Sequence, residues 1–112
     1  MMLLLLALAG CHPTPATFEY SEDPQVVLAN AEEFVNYTYE KSSKYNDEDW
    51  DVTVEQFINM CKNYKECEWQ MFEKDRERFS LALNKFMQAV DATGNLDLAM
   101  EIKEHYARIN ER

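Results

Sequence analysis

Three cysteines, two histidines and a dense set of carboxylates are the residues of this chain equipped for chemistry. Cys61 or Cys67 beside His105 would make a thiolate–imidazole pair, the arrangement of a nucleophile with its base. Nothing in the spacing brings them together, and His105, at the edge of an apolar stripe, reads as a packed or surface residue. Asp47, Asp49 and Asp51 have the alternation that opens a calcium-binding loop. That loop needs a glycine at its sixth position and a bidentate glutamate at its twelfth, where this chain has Val52 and Ile58. The triplet therefore reads as the acidic first turn of a helix, with negative charge on the positive end of the helix dipole. Cys61 and Cys67 stand six positions apart. Six steps of continuous helix separate them by about 9 Å in rise alone, and a disulfide wants Cα atoms within about 7 Å. A bond requires a turn between them; without one they are two partly buried free thiols. No zinc-ligand cluster, phosphate-cradling glycine loop or nucleophile elbow is visible, and neither a metal nor an organic cofactor is expected.

Cys11 has a different setting. Met1 to Ala9 is an almost unbroken apolar run, too short to span a bilayer, which takes about 20 residues. It suits the apolar region of a signal peptide, about 7–15 residues long. The run ends in Leu8-Ala9-Gly10-Cys11, which resembles the lipobox of bacterial lipoproteins. The resemblance implies that the Cys11 thiol receives a diacylglyceryl group. Cleavage before it then makes Cys11 the lipidated N-terminus. It also implies export to the outer membrane, because His12 stands where an aspartate tends to mark inner-membrane retention. With no acidic residue between Cys11 and Glu19, the expected face is periplasmic. One departure is the lack of Lys or Arg before Cys11, and the true start is expected upstream.

The net charge of -10 and a pI near 4.5 repel nucleic acid and anionic headgroups, so nucleic-acid binding is not expected. They leave a basic protein as a partner. Asp47, Glu48, Asp49, Asp51 and Glu55 form the candidate interaction patch. If their helix starts at the same end of the fold as the one preceded by Glu19, Glu22 and Asp23, the two sets would sum into one negative field.

The elements that must position these groups are helical. Scarce Gly (2) and Pro (3) argue against a chain that turns every few residues. Asp23-Pro24 is a helix start, and Val27, Ala31, Phe34, Val35 and Thr38 repeat at helical spacing as far as about Lys44. Asn46 can cap a second helix carrying Trp50, Val54, Phe57, Ile58, Cys61 and Tyr64. A third stripe, Trp69, Phe72, Phe79, Leu83, Phe86, Met87 and Val90, stops at Gly94. Leu96 to Asn110 carries the last. One helix from Asp47 to Ala92 would be about 70 Å long, which predicts a bend or hairpin near Asn63 to Glu68. The expected organisation is a leader over 1–10, a lipidated Cys and extended tether over 11–22, and a bundle over 23–112. The fold class is all-α, a small antiparallel bundle of three to four helices. In general architecture this resembles the small helical lipoproteins of Gram-negative envelopes, a likeness that carries no functional residue across.

These readings converge on a membrane-tethered, non-enzymatic binding or interaction module of the cell envelope. The alternatives are an inhibitor or immunity-type lipoprotein acting on a basic toxin or wall-degrading enzyme, and a purely structural envelope protein. Tyr37, Tyr39, Tyr45 and Trp69 are aromatics that could form a binding face or simply cover the core. A concave acidic groove lined by Tyr and Trp would favour binding; an evenly polar exterior would favour the structural role.

Overall fold

The computed structural model describes residues 12–111. Four helices form an up-and-down bundle: α1 (Pro24–Lys41), α2 (Asp47–Cys67), α3 (Glu73–Asp91) and α4 (Leu96–Asn110). Short 3-10 turns follow α1 (Ser42–Lys44) and α2 (Glu68–Gln70). Sequence neighbours run antiparallel, whereas α1 and α3 lie side by side and parallel. Arg78 meets Glu32 at 2.7 Å and Lys85 meets Asn36 at 2.8 Å, so the numbering rises together along both helices. The Glu32–Arg78 pair is half exposed and contributes little to stability.

Local chemistry sets most of the boundaries. Asp23 accepts from the Gln25 N–H and Pro24 occupies the first helical position of α1. At the start of α2, Asn46 accepts from the Asp49 N–H while Asp49 accepts from the Asn46 N–H, both at 2.9 Å. This reciprocal cap satisfies two of the amide donors that a helix start leaves open. Gly94 ends the α3 region with φ of 72°, a left-handed conformation that costs glycine little and other residues more. Asn95 caps α4 by accepting from the Leu98 N–H.

The core is one cluster in which aromatic rings dominate. Phe86 is fully buried and stacks on Phe57 with ring centres 4.5 Å apart. Phe34 stacks on it at 6.0 Å and Trp50 meets it edge-on at 6.5 Å. Rings from α1 and α2 thus converge on a single side chain of α3, and Tyr64 over Phe79 at 3.7 Å extends the cluster. Aromatic pairs of these geometries add about 0.5–1.5 kcal/mol each beyond area burial.

Three expectations need correction. The chain does break between the second and third stripes, but after Cys67, at Glu68–Phe72, rather than within Asn63–Glu68. Helix α2 therefore runs unbroken through both thiols, and Cys61 and Cys67 are free, as the rise between them demands. Trp69 and Phe72 fall in the break and are 78% and 79% exposed, so they leave the third stripe. The described part of the tether, from His12 to Glu22, is extended as expected but does not hang free. Phe18 is a core residue, its N–H donates to Gln56 Oε1, and the Tyr37 hydroxyl donates to the Thr14 carbonyl. The buried Asn63 side chain accepts from the Ser21 N–H at 3.0 Å and donates to the Ser21 carbonyl at 2.9 Å. The segment is a strap laid along α1 and α2.

Candidate functional site

The two connections at one end of the bundle, between α1 and α2 and between α3 and α4, enclose a cleft of about 660 Å³. Tyr39, Tyr45 and Trp50 give it aromatic walls, and Ser42, Ser43, Asp47, Gln88, Thr93 and Asn95 give it polar ones. It exists because four helix ends meet there without filling the space between them. Hydroxyls, amides and one carboxylate around aromatic faces can hold a polar ligand with apolar faces, by stacking and hydrogen bonds together.

Tyr45 links the cleft to the strap. Its ring packs edge-on against Trp50 at 5.5 Å. Its hydroxyl is buried near the Ala16 backbone and Thr38 without making a well-formed hydrogen bond to either. Burial above all pushes its pKa up to about 12. Thr38 instead donates to the Phe34 carbonyl one turn back on α1.

The acidic patch divides into structural and free members. Asp49 is buried, closes the α2 cap and lies 2.9 Å from His12 Nε2. Asp47, Glu48, Asp51 and Glu55 are exposed. Because α1 and α2 are antiparallel, Glu19, Glu22 and Asp23 sit at the far end of the bundle from Asp47, and the two acidic helix starts do not sum into one field. Lys41 and Lys44, at the C-terminal end of α1, share the cleft end and offset part of its negative charge.

The thiols are poor candidates for nucleophiles. Burial pushes Cys61 up to about 12, and burial also raises Cys67, the opposite of what a reactive thiolate needs. His105 has Glu101 and Arg108 as polar neighbours, at 3.8 Å and 3.2 Å. The Asp47–Asp49–Asp51 alternation lies on helix, and among the described residues no three His, Cys, Asp or Glu side chains are grouped to hold a metal ion. No helix among the described residues is long and apolar enough to cross a membrane. Cys11 and the lipobox lie outside the described residues.

Sequence reasoning found Tyr39 and Tyr45 as aromatics able to form a face, but grouped them with Tyr37 and Trp69. Tyr37 holds the strap and Trp69 lies at the opposite end. The cleft partners Ser42, Thr93 and Asn95 carried only turn and cap signals, which say nothing of what two distant turns enclose. No protein-family model, curated protein or solved structure matches the chain, so its function is argued from this geometry and from its own residues.

Proposed function

We propose that the protein is a membrane-anchored envelope lipoprotein of the outer membrane, facing the periplasm, whose helical body is a non-enzymatic binding module. The cleft lined by Tyr39, Tyr45, Trp50 and Asp47 is the observation that carries the binding role, since an aromatic-walled concavity is what an evenly polar structural protein lacks. The Leu8-Ala9-Gly10-Cys11 run supports the anchor, and the raised pKa values of both remaining thiols favour binding over catalysis. The anchor is tested by metabolic labelling with a clickable fatty acid. The wild-type protein takes up the label and Cys11→Ala loses it, accumulating as an uncleaved precursor. Labelling that persists in Cys11→Ala refutes the assignment.

Asp47, which lines the cleft, and the exposed Glu48, Asp51 and Glu55 that follow it on α2 favour a second reading, inhibition of a basic protein such as a toxin or wall-degrading enzyme. Complexes of that kind weaken as salt shortens the Debye length from about 10 Å at 0.1 M to about 3 Å at 1 M. Neutralising Asp47, Glu48 and Asp51 to their amides is the matching substitution. Asp49 is left intact, because changing it would unseat the cap of α2.

A further inference from the structure

We infer that the strap from His12 to Ser21 is an orienting device. It stands the bundle on its anchoring membrane by the cleft end and holds the aromatic tip, Trp69 and Phe72, away from the lipid. The inference rests on the acylation of Cys11 proposed above.

The strap is fixed at successive points along α2. His12 meets Asp49 in the first turn, Phe18 meets Gln56 in the middle, and Ser21 meets Asn63 while the Tyr20 hydroxyl donates to Glu66 near the end. From Asp49 to Glu66 the helix rises about 25 Å. His12, the residue that a peptide bond joins to Cys11, is held beside the first turn of α2, and a lipid carried by Cys11 would be tethered from there. That is the cleft end. A freely swinging tether would let either end reach the bilayer; a strap bonded to both ends of α2 does not.

The tip gives the arrangement its second observation. Trp69 and Phe72 are almost fully exposed, and such rings settle into the membrane interface whenever they can reach it. The strap puts them at the wrong end for the anchoring bilayer. The surface turned to the lipid is the cleft end.

The test uses the acylated protein, purified from membranes and placed in vesicles of zwitterionic lipid carrying a nitroxide quencher on the headgroup. The chain has two tryptophans, so Trp50→Phe leaves Trp69 as sole emitter. Adding Trp69→Phe and Tyr39→Trp to that variant moves the emitter to the cleft. The cleft emitter should lose most of its fluorescence in quencher vesicles, and Trp69 should keep nearly all of its own. A ten-residue Gly-Ser insertion between Cys11 and His12 leaves every bundle contact in place but frees the anchor from the strap, and Trp69 quenching should then rise. Equal quenching of the two emitters in the uninserted protein overturns the inference, as does an insertion that changes nothing. Protein that carries no lipid and fails to join the vesicles defeats the anchor itself, a separate result read from its mass and its flotation.

Discussion

Phe86, within α3, and Phe72, just before it, meet opposite fates. Phe86, near the middle of the bundle, is fully buried and touched by rings from α1 and α2. Phe72, in the turn before α3, is 79% exposed, and Trp69 beside it 78%. The residue types are alike, and their distances from the end of α2 decide the difference. Phe86 lies on the inward stripe of α3, whereas Phe72, at the N-terminal cap of that helix, is turned out of the bundle. The middle of the bundle therefore uses its rings for stability, and the tip keeps its rings available to whatever lies beyond it.

The sharpest way to break this contrast is at Phe86. Phe86→Ala removes the ring on which α1 and α2 converge and should lower the unfolding free energy by about 3–5 kcal/mol, read as an earlier midpoint in urea. A loss under about 1 kcal/mol would mean that the middle of the bundle is no better packed than its tip.

The next effect belongs to the buried Cys61 thiol. Cys61 is deeply buried with its pKa pushed from 9.0 to about 12, so the fold favours the neutral thiol. Below pH 9 the thiol is protonated folded and unfolded alike and this contribution is fully present. Between pH 9 and 12 only the unfolded state gives up the proton, and stability falls by up to about 1.4 kcal/mol per pH unit. Tyr45, raised by burial from 10.0 to about 12, acts in the same direction from pH 10 upward. Thermal melts between pH 8 and 11 should show the decline, and Cys61→Ala should flatten its first part. A melting temperature independent of pH over that range would place the thiol in contact with water.

The smallest effect is expected at the tip. Trp69→Ala together with Phe72→Ala should change stability by no more than about 0.5 kcal/mol, since neither ring gives up water on folding. A loss several times larger would put these rings in the core after all and remove the distinction between the two regions.

Much of the architecture was legible because its punctuation is chemical. Asp23-Pro24, Asn46 with Asp49, Gly94 and Asn95 each mark a boundary by a hydrogen bond or a backbone conformation that those residues favour. The break after Cys67 was misplaced because it carries no such mark. Phe72 has no cap of its own to offer, and Asp75 alone reaches back, accepting from the Phe72 N–H at 3.2 Å. The strap is silent in the sequence for another reason. Pro13 and Pro15 do signal extended chain, but the partners that hold it, Gln56 and Asn63, look like ordinary polar positions on a helix, and only tertiary structure turns Asn63 inward. The cleft was illegible in the same way, as a space between elements rather than a property of any one of them.

The pairing of Ser21 with Asn63 also sets an order of events in the life of the chain. The two residues are separated by 42 positions, and Phe18 waits for Gln56 across 38. The strap leaves the ribosome, and enters any export channel, well before its partners do. Until α2 has emerged and closed that long loop, the N-terminal segment has nothing to bind and remains extended and open to processing enzymes. The processing proposed for Cys11 would fall within a window that folding itself ends.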